Sequence, residues 1–117
     1  MEHPFRDGDI EVAPARAAEL IADGSVQLVD VRETYEHDAG RIEGARHVEL
    51  ERLASQAESI DKSTPVLFYC RLGARSGMAA QAFRRAGYEA YSLTGGLQAW
   101  HGAGQPLEPA DGHVAEH

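Results

Sequence analysis

The chain has 117 residues, of which 43% are hydrophobic and 26% are charged, as expected for a single soluble domain with one hydrophobic core. Its net charge of −8 argues against a general nucleic-acid binder, and its single cysteine cannot form an internal disulfide, so the fold needs no oxidising compartment. Because no apolar run approaches the roughly 20 residues of a membrane span and the start of the chain lacks the apolar core of a signal peptide, we expect a cytoplasmic protein with no nucleic-acid or membrane partner.

The apolar pattern predicts strands and helices that alternate along the chain. A short extended piece leads into a helix that begins near Pro14 and ends near Gly24. Further strands are predicted at 26–31, 46–50, 64–70 and 88–93. Further helices or helical turns are predicted at 33–45, 49–60, 76–87 and 94–104. On the helix at 76–87 the predicted apolar face holds Ala79, Ala82, Phe83 and Ala86.

These elements indicate one domain at residues 9–106, with a short N-terminal extension at 1–8. Residues 107–117 lack an apolar pattern, and we predict that they form a flexible C-terminal tail. Alternating strands and helices favour a parallel sheet that is covered on both faces. In such folds ligands bind at the carboxyl ends of the strands, and Cys70 lies there, after the most strand-like segment and before a helix.

The residues around Cys70 are those of an anion-binding turn. A chain that turns sharply from a strand into a helix directs backbone N–H groups at one point, and Gly73 can supply the positive φ that the turn needs. Arg71 and Arg75 add positive charge, so a thiol at this place should be largely a thiolate at neutral pH. The alternative interpretation is that Cys70 is a small buried hydrophobic residue at the end of a strand.

Other kinds of site are not favoured by the sequence. Gly73 and Ser76 do not have the spacing of a nucleophile elbow, and no nucleotide-binding P-loop motif occurs. His113 and His117 are four residues apart but lie in the predicted tail, so we expect neither a metal nor a cofactor. The paired carboxylates Glu33 and Glu36 are most simply interpreted as a solvated face.

Three segments together resemble the single-domain rhodanese family of sulfurtransferases. "DVRETYEHDAGRIEGARHV" resembles the family's D-V-R-x-x-x-E stretch with its following G-H-I-x-G-A, "CRLGARS" matches its C-x-x-G-x-R-S loop, and "LTGGLQAWHGAGQPLE" matches its L-x-G-G-x-x-x-W signature. The resemblance runs from about Asp9 to Pro106. In the first segment Arg41 replaces the usual histidine and Glu43 stands where proline is frequent.

The resemblance implies a three-layer α/β/α domain with a central, mainly parallel sheet of about five strands. It implies that Cys70 is the nucleophile, which takes a sulfane sulfur from a donor such as thiosulfate and passes the persulfide sulfur to cyanide or a thiol. For Arg32 two roles are open, one facing the same pocket and one in a structural ion pair. Asp30 is expected to brace a loop, and Trp100 is expected in the core. The residues expected to bind the substrate sulfur are those of the loop, Arg71, Leu72, Gly73, Ala74, Arg75 and Ser76.

The length of the loop favours sulfur chemistry within this fold. Four residues separate Cys70 from Arg75, whereas related phosphatases have one more, which widens the loop for a tetrahedral phosphate. The absence of a second cysteine counts against a disulfide-resolving mechanism. Three hypotheses remain: a thiosulfate-type sulfurtransferase, a persulfide carrier whose donor or acceptor is a protein, and a non-catalytic binding module.

Overall fold

Strands and helices alternate through the computed structural model, which describes residues 10–117. The predicted N-terminal extension at 1–8 and the first residue of the predicted domain, Asp9, lie outside the described residues. The strands are β1 Glu11–Val12, β2 Gln27–Asp30, β3 Arg46–His47, β4 Val66–Tyr69 and β5 Ala90–Leu93. The helices are α1 Pro14–Ala22, α2 Thr34–Ala39, α3 Leu53–Gln56, α4 Ala74–Arg85 and α5 Gly96–Gly102.

The five strands form one sheet in the order β1-β5-β4-β2-β3, and every neighbouring pair is parallel. The predicted parallel α/β fold is therefore confirmed. β4 is the central strand, and Cys70 follows its last residue, Tyr69. Because all strands run in one direction, the segments that follow β2, β4 and β5 meet at one edge of the sheet.

Side chains of the central strand alternate between two cores. Val66, Phe68 and Cys70 pack with α3 and α4 on one face, while Leu67 and Tyr69 pack with α1 and α5 on the other. This makes three layers, and it explains why β4 is apolar at every position, since a strand covered on both faces has no solvent side. Trp100 lies in the core of the α1 and α5 face, as predicted, and its indole N–H donates to the Pro106 carbonyl. No helix within residues 10–117 is long and apolar enough to cross a membrane.

Two helix predictions need correction. On α4 the buried stripe is Ser76, Ala79, Ala80 and Phe83, whereas the predicted Ala82 and Ala86 are exposed. Alanine carries too little apolar signal to fix which side of a helix faces the sheet, and the phenylalanine fits either choice. The predicted helix at 49–60 is only the single turn of α3, flanked by 3-10 turns at Leu50–Arg52 and Ala57–Ser59.

Residues 107–117, for which the sequence predicted a flexible tail, contact the domain along their length. Glu108 and Arg41 exchange two backbone hydrogen bonds, and the His113 N–H donates to the Ala39 carbonyl. Leu107 is buried and Val114 packs against the core of the α1 and α5 face. Most of these contacts use backbone groups, which leave no pattern in the sequence.

The start of α5 is hydrogen-bonded to the backbone of the Cys70 loop. The Leu97 and Gln98 N–H groups donate to the carbonyls of Cys70 and Arg71 at 2.8 and 3.1 Å. Gly96 makes this approach possible, because its φ is +62° and a Cβ there would lie 2.6 Å from the Cys70 carbonyl oxygen. The glycine pair of the closing signature is thus required by backbone geometry.

We predict that Gly96→Ala lowers the free energy of unfolding by at least about 3 kcal/mol, because the left-handed backbone and the clash with the Cys70 carbonyl both oppose a Cβ. Urea titration followed by circular dichroism would measure the loss. The matched control in the same helix is Gly102→Ala, where a Cβ meets nothing within 4 Å, and its effect should stay within about 1 kcal/mol. Equal effects of the two substitutions would contradict this account of the glycine.

Candidate active site

Cys70 is the first of the four residues, 70–73, that take the chain from the end of β4 to the start of α4. Gly73 has a φ of +115° and directly precedes the first residue of α4. The Cys70 residue is only 1% exposed, so a reagent reaches its sulfur only through the opening above the loop. The thiol therefore sits at the amino end of a 12-residue helix, where backbone N–H groups are free of helical partners.

The sulfur of Cys70 accepts hydrogen bonds from the backbone of its own loop. The Gly73 N–H lies 3.1 Å from Sγ and the Ser76 N–H lies 3.4 Å from it. The Ser76 hydroxyl is also 3.4 Å from Sγ and 2.8 Å from the Ser92 hydroxyl on β5. Donors that converge on one atom favour negative charge there, so this arrangement can hold a thiolate or an anion attached to it.

A cavity of about 280 Å³ opens above the sulfur. Its walls come from the loop, from the first turn of α4 and from the end of the chain. The residues that line it are Cys70, Arg71, Leu72, Ala74, Arg75 and His117. The structure thus brings the predicted loop residues together around the sulfur, with Gly73 and Ser76 contacting it by their N–H groups. His117 was not predicted at this site.

Arg75 is held by the carboxylate of Glu36, a residue that was predicted to lie on a solvated face. Its two terminal nitrogens donate to the two oxygens of Glu36 at 2.8 and 3.0 Å. Glu36 is fully buried, not part of a solvated face. Burial alone would raise the pKa of Glu36, but the hydrogen bonds from Arg75 and from the backbone of Glu33 outweigh it and lower that pKa. The signal that could have found this pair is the glutamate of the D-V-R-x-x-x-E stretch, which is Glu36 itself.

Arg32 does not reach the cavity. It is fully buried and donates to both carboxylate oxygens of Asp30, at 2.9 and 2.7 Å, and to the Gly40 carbonyl at 2.7 Å. The structural ion pair that the sequence left open for Arg32 is therefore the arrangement found. Asp30 also accepts a hydrogen bond from His37, whose ring stacks on His47 with 4.4 Å between centroids. As expected, Asp30 braces the segment between β2 and α2.

Positive charge at the cavity is distributed unevenly. Arg75 is neutralised by Glu36, whereas no hydrogen-bond acceptor among the described residues meets the buried Nε of Arg71. Arg71 therefore supplies the cationic group of the loop that is most free to meet an anion.

Glu33, Glu36 and His117 also lie close together, with one potential ligand atom from each within 4.8 Å of the others. Both oxygens of Glu36 are engaged by Arg75, and His117 Nε2 is 3.0 Å from Glu33. The group is accordingly a network of ion pairs in its present form. His113, which the sequence spacing paired with His117, contributes to the fold through its backbone N–H.

Comparison with known proteins identifies related domains. Residues 13–103 match the family model described as a rhodanese-like domain. The thiosulfate sulfurtransferase GlpE of Coxiella burnetii is 33% identical over 91 residues, which cover 77% of this chain and 85% of that protein. The uncharacterized protein YqhL of Bacillus subtilis is 44% identical over 77 residues, which cover 65% of this chain and 61% of YqhL, so this chain spans less than two thirds of that relative.

Among solved structures, a rhodanese-related protein from Thermoplasma volcanium has the same fold. The superposition gives a TM-score of 0.78 and covers 83% of this chain and 95% of that one, at 24% identity. The predicted family and fold are therefore confirmed.

We predict that Glu36→Gln lowers the free energy of unfolding by at least about 2 kcal/mol, because it leaves the largely buried Arg75 guanidinium without its counter-charge. Chemical denaturation would measure the effect. Asp38→Asn is the matched control, since Asp38 is exposed on the same helix and its replacement should change stability by no more than about 0.5 kcal/mol. If the two variants are equally stable, the Glu36–Arg75 pair does not hold the loop.

Ionisation of Asp30 should make the free energy of unfolding depend on pH. Burial raises the pKa of its carboxyl, but hydrogen bonds from His37 and Arg32 and the Arg32 charge lower the pKa to about 2. An aspartate pKa of about 3.9 in the unfolded chain then means that ionised Asp30 stabilises the fold by roughly 2–3 kcal/mol above about pH 5. This contribution is lost as the pH falls through the folded pKa of about 2.

The measurement is the difference in unfolding free energy between wild type and Asp30→Asn. Between pH 6 and pH 3 this difference should shrink by roughly 1 kcal/mol, since only the wild type loses the contribution of an ionised Asp30. The exposed Asp38→Asn control should show no such narrowing. A difference that is constant with pH would mean that Asp30 has the same pKa in the folded and unfolded states.

Proposed function

The chain belongs to the rhodanese-like domain family, and from this premise we propose that it is a sulfurtransferase that carries a sulfane sulfur on Cys70. The observation that supports this most directly is the position of the Cys70 sulfur, which accepts hydrogen bonds from two backbone N–H groups at the start of α4. Cys70 is also the only cysteine of the chain, so the thiol has no internal partner with which to form a disulfide.

The reaction has two displacement steps. The Cys70 thiolate attacks the outer sulfur of thiosulfate, a new S–S bond forms, the S–S bond of thiosulfate breaks, and sulfite leaves with the bonding electron pair. An acceptor such as cyanide then attacks the terminal sulfur of the persulfide. Thiocyanate forms, and the Cys70 thiolate leaves with the electrons of the S–S bond. Such a two-step covalent mechanism gives ping-pong kinetics.

The loop stabilises the charge that appears in both steps. The terminal sulfur of the persulfide is anionic and extends from Sγ into the cavity, where the backbone N–H groups of Arg71 to Ser76 would hold it, as those of Gly73 and Ser76 hold Sγ. Arg71 attracts the anionic donor, while Arg75, fixed by Glu36, keeps the first turn of α4 in place. Leu72 and Ala74 shape the cavity, and the four-residue spacing from Cys70 to Arg75 fits one sulfur atom better than a phosphate.

A protein persulfide is the second candidate for the donor or acceptor. Leu72, at the rim of the cavity, exposes 56% of its surface, and Tyr35 and Met78 are the other large apolar residues exposed within residues 10–117. Of these three, Leu72 lines the Cys70 cavity, and an exposed apolar side chain at that place suits contact with another protein. A binding module without catalysis is the third possibility, and retention of Cys70, Gly73 and Arg75 disfavours it.

We place the reaction in the cytoplasm, because the chain needs no disulfide.

The test is to weigh the intact protein after incubation with excess thiosulfate. We expect a gain of one sulfur atom, about 32 mass units, and its removal by cyanide with release of thiocyanate. Cys70→Ser should abolish both steps, because an alcohol cannot form a persulfide. Ser25→Ala, prepared and incubated in the same way, is the control variant, since Ser25 lies in the turn before β2, away from the cavity.

Each outcome selects one of the three hypotheses. If thiosulfate leaves the wild type unmodified while a protein persulfide loads it, the protein is a persulfide carrier. If neither reagent loads Cys70, the catalytic proposal is wrong and the binding module replaces it.

A further inference from the structure

The end of the chain reaches the cavity of Cys70. We call residues 108–117 the C-terminal strap, because backbone hydrogen bonds tie it to Arg41 and Ala39 as it runs along the domain. The Tyr35 hydroxyl donates to the Glu116 carbonyl at 2.9 Å, and this contact positions the next residue, His117. The His117 side chain then lies in the wall of the Cys70 cavity and also in the wall of a neighbouring cavity.

The neighbouring cavity, of about 310 Å³, is rich in carboxylates. Glu33, Glu49 and Glu51 line it, and it shares Arg75 and His117 with the Cys70 cavity. His117 Nε2 lies 3.0 Å from the Glu33 carboxylate, and both side chains are about half exposed. The imidazole therefore stands between the Cys70 opening and a group of negative charges that would repel an anionic reagent.

We propose that His117 is a specificity-determining residue, whose imidazolium offsets the Glu33 carboxylate at the opening and thereby admits anionic sulfur donors to Cys70. The identity of the reagents as sulfur donors rests on the proposed function. The charge effect of His117 on access to the sulfur does not.

The charge at this opening depends on all the groups that surround the imidazole. On its own segment Glu116 precedes it. The groups from the other elements are the carboxylates of Glu33, Glu36, Glu49 and Glu51, the guanidinium groups of Arg71 and Arg75, and the Cys70 thiol. Glu36 and Arg75 neutralise each other. Substitutions of Glu33 and His117, which form the other ion pair, are therefore the ones that test how the net charge at the opening affects access to the sulfur.

The experiment compares two alkylating reagents of nearly the same size, anionic iodoacetate and neutral iodoacetamide. Each forms a carbon–sulfur bond to Cys70 and releases iodide, and because the chain has one cysteine, the change in intact mass reports on Cys70 alone. The readout is the ratio of the two rate constants, iodoacetate over iodoacetamide. Reactions are run near pH 6 at an ionic strength of about 0.02 M, where charge effects are screened least.

His117→Ala should lower this ratio about threefold or more, the effect expected of one unit charge at a solvated opening. Glu33→Gln should raise the ratio, since it removes the carboxylate charge and keeps a side chain of nearly the same size, and the double variant should return close to the wild-type ratio. His117→Gln, which can donate to Glu33 without a charge, should behave as His117→Ala does. His113→Ala is the matched control on the same strap, because the His113 contact to the domain uses its backbone N–H, and its ratio should equal that of wild type.

A ratio for His117→Ala equal to that of His113→Ala would overturn the proposal. So would an equal slowing of both reagents, which would indicate a steric or folding effect, or a wild-type ratio for His117→Gln, which would show that charge is irrelevant. If the ratio responds as expected and thiosulfate also loads Cys70, His117→Ala should raise the KM for thiosulfate and leave kcat unchanged. If the ratio responds but no sulfur loads, the proposed function fails and the charge effect of His117 stands.

Discussion

The turn from β4 into α4 is the constraint on which the rest of the site depends. It leaves the chain only Arg71, Leu72 and Gly73 between the end of the strand region at Cys70 and the first residue of the helix. The backbone carbonyls and N–H groups of this turn form hydrogen bonds with neighbouring parts of the structure. Its carbonyls at Cys70 and Arg71 accept from the start of α5, and its N–H groups at Gly73 and Ser76 donate to the sulfur. The thiol is thus part of the hydrogen bonding that closes the loop.

Two buried ion pairs hold the same edge of the sheet, and both have a member in the short segment after β2. Asp30 holds Arg32 within that segment, while Glu36 reaches across to Arg75 in α4. Buried charges are costly to desolvate, and removing one partner is costlier still, so such pairs favour one arrangement of their segments. The Asp30 pair fixes the path into α2, α2 places Glu36, and Glu36 fixes the first turn of α4. The position of the sulfur therefore depends on residues up to 40 positions earlier in the sequence.

A structural feature could be predicted when the interactions that create it leave a pattern in the sequence. The parallel sheet could be predicted, because a strand buried on both faces, such as β4, is apolar at every position. The loop residues could be predicted, because a cysteine, a glycine and an arginine at these spacings are local in the sequence. The burial of Glu36 could not be derived from periodicity, since its partner is 39 residues away. The buried side of α4 was only partly predicted, because Ala80 and Ala82 are equivalent in composition and only packing distinguishes them.

The hydrogen-bond donors around the Cys70 sulfur and the opening of its cavity come from different parts of the molecule. The groups that contact Sγ are mostly backbone N–H groups, which remain when side chains change and are lost only if the turn itself changes. The opening consists of side chains, namely Arg71, Leu72 and His117, the last supplied by a segment outside the sheet and its helices. In the proposed reaction the backbone around Cys70 holds the sulfur, whereas the side chains at the opening select the donor and the acceptor. Because the strap is tied to the domain by its backbone groups and brings His117 to that opening, we expect that a substitution at this one position alters the selectivity of the site without disturbing the loop that holds the sulfur.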